Sequence, residues 1–379
     1  MGGDRTHRPD RAIMRRVAMV TSHLQGTRKS LARTFDVALL DLDGVVYVGR
    51  HAVAGVPDAL AAVRALGMRL AFVTNNAARP PAVVAEHLTA LGIPAEAGEV
   101  INSAQTAAHY LVDLLGTEAR VLVVGTTGLD EALRERGLVP VHGADDDPQA
   151  VVQGYSPDLD WRQLAEGAIA IRRGLPWVAT NVDPTVPSPR GPLPGNGSLV
   201  AALRHATGVN PVVTGKPNPA MHLESVQRSR AQRPIVVGDR LDTDIEGANA
   251  AGCPSLLVLS GVTAAADLLA AASALRPTYL AADAGGLLAA HEAPTVSGNT
   301  SRCGTWTATR EADGALLLTR EAQDNTRLAA DDLDPLRALC ALAWTPAGTA
   351  SDGAHPDHWL VRGTNEAATA ALGGLGLNR

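Results

Sequence analysis

Short apolar runs alternate with Ala- and Leu-rich amphipathic stretches along the first two thirds of the chain. The runs Val37–Leu42, Arg69–Thr74, Val121–Gly125, Val151–Gly154, Trp177–Thr180, Pro211–Thr214, Ile235–Gly238 and Ser255–Leu259 have the length and bounding residues of strands. Between them the spacing predicts helices over Pro81–Leu91, Ala104–Leu115, Trp161–Arg173, Ser198–Thr207, Pro219–Arg228 and Thr243–Ala251. This βαβα rhythm predicts an α/β fold built on a Rossmann-like, doubly wound parallel sheet. In such sheets ligands bind beyond the carboxyl ends of the strands, so the polar residues just after each strand are the ones to inspect.

The pattern changes near residue 292. "HEAPTVSGNTSR" is rich in Ser, Thr, Pro and Gly and reads as a linker. After it, polar and apolar residues alternate around Asp313-Gly314, a hairpin signal, and a helix is expected over Asp334–Trp344. Residues 300–379 are therefore expected to form a small α+β appendage. At the other end, residues 1–34 carry many Arg, few acids and no apolar core. They are expected to be a flexible basic arm, or to precede a start at Met14 or Met19. The α/β region divides into 35–102 and 211–290, with a long insert over 103–210 that has βα units of its own.

Composition narrows the class. Apolar residues make up 46 % and charged residues 19 %, enough for a sizeable core. A net charge of -6 without a basic block argues against nucleic acid as a partner. No run of 18 apolar residues is present, so neither a membrane span nor stable membrane association is expected. Cys253, Cys303 and Cys340 lie far apart with no CxxC, which disfavours a disulfide framework or zinc site and fits the cytoplasm. Of 33 Lys and Arg residues only Lys29 and Lys216 are Lys. Lys216, held between Gly215 and Pro217 after a strand, therefore stands out.

Four strand ends carry chemistry. "DLDG" places Asp41 and Asp43 two residues apart, on one side of an extended segment, with Gly44 allowing a tight turn. Two neighbouring carboxylates repel unless a cation balances them or one keeps its proton. A calcium loop starting at Asp41 fails, because its fifth and twelfth positions are Val45 and Ala52. "VTNN" ends on Thr74, Asn75 and Asn76, suited to phosphate oxygens or to capping the next helix. "TGKPNP" supplies Lys216, a compact cation for a phosphoryl oxygen. "GDRLDTD" supplies Asp239 as a metal acid, Asp242 as an expected helix cap, and Asp244 as a cap-region acid or a residue supporting the metal.

Together DLDGVVYVG, VTNN, GKPNP and GDRLDTD resemble the four signatures of the haloacid-dehalogenase superfamily of phosphatases. The TNN and GxxTD forms are similar to its class IIA, NagD/4-nitrophenylphosphatase-like branch. The resemblance spans about residues 35–280. It implies that Asp41 is the nucleophile forming an aspartyl-phosphate and that Asp43 is the acid and base. It also implies that Thr74 and Lys216 bind the phosphoryl group and that Mg²⁺ is held by Asp41, Asp43 (through its carbonyl) and Asp239, with Asp244 in support. Residues 103–210 would be a C2-type α/β cap. In it "ATNVDPTVPSPRGPLPGNGS" offers Asn181, Asp183 and Arg190 to the leaving group, beside Asn75 and Asn76 from the core. The layout with an appendage is similar to the actinobacterial glycerol-3-phosphate phosphatases, whose extra domain resembles part of an acetyltransferase fold. No acetyl-CoA phosphate loop is present here.

The expected activity is a Mg²⁺-dependent phosphomonoesterase acting on a small phosphorylated metabolite. Glycerol 3-phosphate, giving glycerol and phosphate, is the leading substrate. Phosphoglycolate, a nucleotide or pyridoxal phosphate are alternatives within the family, and a catalytically silent binding or regulatory protein is the alternative of another class. With two Phe and four Tyr, an aromatic clamp for a base is hard to build, although Trp161 and Trp177 lie in the insert. A homo-oligomer remains open.

Overall fold

The computed structural model describes residues 24–186, 188, 190–321, 332–346 and 358–378. The chain enters its main sheet through β1 (Val37–Leu40), β2 (Arg69–Thr74) and β3 (Val100–Asn102). It then builds a second sheet from β4 (Arg120–Val124), β5 (Val139–Val141), β6 (Ala150–Gln153), β7 (Trp177–Ala179) and β8 (Val212–Val213). It returns through β9 (Pro234–Gly238), β10 (Ser255–Val258) and β11 (Tyr279–Ala281). A last sheet follows: β12 (Thr295–Ser297), β13 (Thr300–Cys303), β14 (Trp306–Arg310), β15 (Leu316–Arg320) and β16 (Val361–Gly363).

The main sheet runs β11-β10-β9-β1-β2-β3 with every pair parallel. β1 and its neighbours are buried on both faces, as parallel strands between helices must be. Alternate residues serve the two faces. Ala38 and Leu40 pack with Leu60, Val63 and Leu88, whereas Val37 and Leu39 pack with Met221, Ala248 and Cys253. Leu40 stands opposite both Val237 and Phe72, so the three central strands end level. The chain extends from β1 to β2 and β3 on one side and later adds β9 to β11 on the other. The switch point thus lies beyond Leu40 and Val237, where Asp41 and Asp239 emerge.

The inserted sheet runs β8-β7-β6-β4-β5, again all parallel. The sequence puts 211–290 in the core, but Val212 and Val213 pair with Val178 and Ala179 of the insert, so the return to the core comes after Val213. The insert rests on the core away from the site as well. Arg136 meets the buried Glu224 at 3.0 Å, His109 Nδ1 lies 3.6 Å from the same carboxylate, and Arg228 donates to Gln105 at 3.0 Å.

Three further expectations are corrected. The stretch read as a linker holds β12 and β13, joined by a two-residue turn at Gly298 and Asn299, with Gly298 at φ 57°. Residues 24–34, placed in a flexible arm, are pinned. Leu24 and Leu31 are buried, Gln25 donates its amide to the Thr278 carbonyl at 2.9 Å, and Leu31–Thr34 is a helical turn. The rest of that arm, residues 1–23, lies outside the described residues. Asp242 does not cap a helix. Its carboxylate takes a two-pronged contact from Arg240 at 2.9 and 3.0 Å, and the chain there makes a π-helical turn over Leu241–Ile245 before the helix Glu246–Ala250.

The appendage shares a core with the main sheet. Helix Asp334–Ala343 is buried throughout. Leu336, Leu339 and Trp344 pack in one cluster with Leu257, Leu268 and Leu280 of the α/β core and with Leu241 and Ile245. Trp344 and Trp359 donate their indole N–H groups to the carbonyls of Leu268 and Leu269, each at 3.1 Å, and Arg337 donates to that of Leu280 at 2.6 Å. Removing the Trp344 side chain should cost about 3–5 kcal/mol. Trp344→Ala is expected to lower the melting of core and appendage together in denaturation followed by circular dichroism and by core-specific hydrogen exchange. A core that keeps its wild-type stability would contradict the shared cluster.

Candidate active site

Asp41 follows β1 directly and is held by its amide on the Val237 carbonyl at 2.8 Å. Lys216 arrives from the opposite side, on the segment that leaves β8. Its ammonium sits between the Asp41 carboxylate, Asp244 Oδ1 at 2.7 Å and the Val73 carbonyl at 3.2 Å. Asp239, the residue after β9, completes the group: carboxylate oxygens of Asp41, Asp239 and Asp244 all lie within 4.8 Å of one another. Asp239 and Asp244 are 1 % exposed and Lys216 3 %, so solvent screens these charges little.

The backbone around this group leaves no spare room. Gly44 has φ +86°, and a Cβ there would fall 2.4 Å from Asp239 Oδ2. A Cβ on Gly261 would fall 2.0 Å from the same atom. That close approach lets the Val262 amide donate to Asp239 Oδ2 at 2.8 Å and the Ser260 hydroxyl to the Gly44 carbonyl at 2.7 Å. On the other side of Asp244, the Arg240 amide donates to Oδ2 at 3.2 Å.

Three carboxylates against one ammonium leave two negative charges uncompensated in a buried space. Burial pushes the Asp41 carboxyl well up, Lys216 opposes the shift, and Asp244 and Asp239 add to it. Asp239 is pushed up to about 6, first by burial and then by Asp244. For Lys216, burial works against the charged form, yet Asp244 and Asp41 outweigh it and hold the ammonium protonated. Asp239 Oδ1 is buried with no hydrogen-bond partner. An orphan carboxylate lone pair beside two further carboxylates is the donor set of a hard divalent cation, so these residues fit Mg²⁺.

Asp43 stands apart from the three acids. It is exposed, and its carboxyl is raised by burial of its surroundings, with Lys216, Arg79 and His87 pulling the other way. Tyr47, in edge contact with His87 at 5.1 Å, walls the same side. Arg79, His87 and Tyr47 were missed in the sequence, since only the packing of helix Pro81–Ala90 beside the Tyr47–Ala52 hairpin brings them to Asp43. Thr74 is buried and its Oγ1 accepts the Asn76 amide at 3.1 Å, which leaves the hydroxyl proton to donate.

The amides expected at the substrate have hydrogen-bond partners within the protein. Asn76 Oδ1 accepts the Ala78 amide at 2.9 Å, shaping the loop. Asn181 is buried, with Nδ2 on the Asn75 carbonyl at 2.8 Å and Oδ1 on the Asp183 amide at 3.2 Å. Asn75 Nδ2 donates to Asp183 Oδ2 at 3.2 Å and to the Lys216 carbonyl at 3.2 Å, while its Oδ1 accepts the Lys216 amide at 2.9 Å. Asn75 of the core thus joins Asn181 and Asp183 of the insert. Arg190 is exposed on the same loop.

The chain is similar to known hydrolases. Residues 38–139 match the model of the haloacid dehalogenase-like hydrolases, and residues 213–287 match a second, HAD-hydrolase-like model. The D-glycerol 3-phosphate phosphatase of Mycobacterium tuberculosis is 53 % identical over 255 residues, which is 67 % of this chain and 71 % of that protein. Crystal structures of a glycerol phosphate phosphatase from the same organism, in complex with calcium and with magnesium, superpose with TM-scores of 0.83 and 0.81 at 44 % and 43 % identity. They cover 93 % of this chain and 99 % and 100 % of theirs. A 4-nitrophenylphosphatase from Thermotoga maritima superposes at TM-score 0.63 and 28 % identity over 68 % of this chain and 98 % of its own.

The raised Asp239 sets a pH dependence. An unfolded Asp titrates near 3.9, roughly, and the folded one at about 6. The folded chain thus binds the proton more tightly between those values, and the metal-free protein loses stability as pH rises through that window. A divalent cation needs the deprotonated acid. Millimolar Mg²⁺ is therefore expected to raise the melting temperature at pH 7.5 and to do little at pH 5. Equal shifts at both pH values would contradict this.

Proposed function

The chain belongs to the haloacid-dehalogenase-like hydrolases, and from that premise we propose that it hydrolyses glycerol 3-phosphate to glycerol and phosphate through an aspartyl-phosphate on Asp41. The observation that carries the reading is the meeting of Asp41, Lys216, Asp239 and Asp244 at strand ends, around an excess of negative charge that a divalent cation would balance. Lys216 and the Thr74 hydroxyl face the transferring phosphoryl oxygens, and Asp41 attacks phosphorus as the alcohol departs. Asp43, whose carboxyl is raised by burial, gives a proton to the leaving oxygen. It then takes one from the water that cleaves the acyl-phosphate, which restores both acids. When bound by Asp41, Asp239 and the Asp43 carbonyl, with Asp244 behind, Mg²⁺ supplies charge neutralisation at the phosphoryl group.

The choice of substrate rests on likeness to the mycobacterial glycerol phosphate phosphatases and on the scarcity of rings near the site. Trp177 is buried in the insert's own core, Trp161 is exposed to solvent, and Tyr47 and His87 are ring side chains beside Asp43. Neither pairs face to face as a base clamp would require. We read residues 103–213 as a cap and the appendage as a buttress. In support, Leu241 and Ile245, which bracket Asp244, belong to the cluster shared with helix Asp334–Ala343. The three cysteines are free and buried, and among the described residues no helix is long and apolar enough to cross a membrane. A cytoplasmic setting is consistent with both.

Purified protein is expected to release phosphate from glycerol 3-phosphate in the presence of Mg²⁺, faster than from phosphoglycolate, a nucleotide monophosphate or pyridoxal phosphate. Asp41→Asn should lower turnover by at least about 10³-fold. Preference for another ester would replace the substrate, and full turnover by Asp41→Asn would remove the nucleophile.

A further inference from the structure

Asn75 has no amide hydrogen left for a substrate. Its carboxamide grips the backbone of a single residue at two points, accepting the Lys216 amide at 2.9 Å and donating to the Lys216 carbonyl at 3.2 Å. The second amide hydrogen goes to the Asp183 carboxylate at 3.2 Å. Its own carbonyl accepts the Ser103 hydroxyl at 2.6 Å and Asn181 Nδ2 at 2.8 Å. Ser103 opens the first connection into the insert, Lys216 follows the second, and Asn181 and Asp183 belong to the insert's loop. One residue of the core thus holds both connections, that loop and the lysine.

The described ends of the loop are tied to the rest of the insert. Asn196 Nδ2 holds the Asn181 carbonyl at 2.7 Å, and a Cβ on Gly197 would fall 2.1 Å from the Val182 carbonyl. The second connection is equally tight: a Cβ on Gly215 would fall 2.3 Å from the Thr180 carbonyl and 2.8 Å from Asn75 Oδ1. The "PGNGS" run that closes the loop therefore serves to lock it to the rest of the insert, and displacement of the insert must pull on Asn75.

We propose that Asn75 is a positioning residue that couples docking of the insert to Lys216: when the insert is seated, Asp183 and Asn181 orient Asn75, whose amide fixes the Lys216 backbone and so sets the ammonium between Asp41 and Asp244. With the insert lifted, Asn75 loses two of its partners and the clamp loosens. The lysine then stands in register only in the docked state. The kinetic half of this inference rests on the phosphatase reading, and the structural half does not.

The test combines hydrogen exchange at the Lys216 amide with steady-state kinetics on the full-length, Mg²⁺-loaded protein and glycerol 3-phosphate. Asn75→Ala is expected to speed Lys216 exchange and to lower kcat, each by at least about tenfold, with KM within about threefold. Asp183→Ala touches no atom of Lys216, yet is expected to shift both in the same direction. Asp183→Asn, which keeps an acceptor oxygen, should restore both. The double variant should be no worse than Asn75→Ala alone, as residues acting through one contact are non-additive. Lys216 exchange and kcat within about twofold of wild type in Asp183→Ala, or losses that multiply in the double variant, would overturn the coupling. An inactive wild type would refute the phosphatase reading, while the exchange measurement would still decide the clamp.

Discussion

The site is organised around a charge imbalance that burial makes expensive. Asp41, Asp239 and Asp244 crowd into one space with Lys216 as their single ammonium, and two of the acids and the lysine are almost fully sealed from water. Removing one charge of a buried group without its counter-charge is costly. That cost ties the four residues together. Lys216 stays protonated because two carboxylates hold it, and Asp41 and Asp239 are pushed upward by burial and by the neighbouring acids, against the pull of the lysine. An arrangement that is poor for stability is apt for capture: a divalent cation completes the balance that the side chains leave open.

The rest of the molecule holds that imbalance in place. The level ends of β1, β2 and β9 bring three of the four segments to one line, and Gly44 and Gly261 let two backbones close on Asp239 where any side chain would collide. The fourth segment, bearing Lys216, leaves the inserted sheet, and Asn75 ties its backbone to the core. From behind, the appendage packs on Leu241 and Ile245 around Asp244. The appendage thus contributes through packing, in keeping with a cluster that runs unbroken from one sheet to the next.

Much of this was legible in the sequence, for a physical reason. Strands buried on both faces are uninterrupted apolar runs, and acids and a lysine placed just beyond them have few structural uses. Arg69–Thr74 matches its expected strand at both ends, and the acids at 41 and 239, expected at strand ends, meet there with Asp244, whose role the sequence left open. What escaped depends on distance along the chain. The partners of Asn75 lie 28 to 141 residues away, so its pattern reads equally as a substrate contact. Val100–Asn102, Val139–Val141 and Tyr279–Ala281 are three-residue strands, too short for a period to appear. The run from His291 to Arg302 looked like a linker because it is rich in polar residues and its first strand, β12, is an exposed edge, where Gly298-Asn299 was the turn signal that composition obscured.

The most direct test of the charge account is to locate the cation by anomalous diffraction from crystals soaked in Mn²⁺. The account predicts one strong peak bonded to the Asp41 and Asp239 carboxylates, with Lys216 still on Asp244. A peak elsewhere in the molecule, or none between those two acids at saturating Mn²⁺, would contradict it.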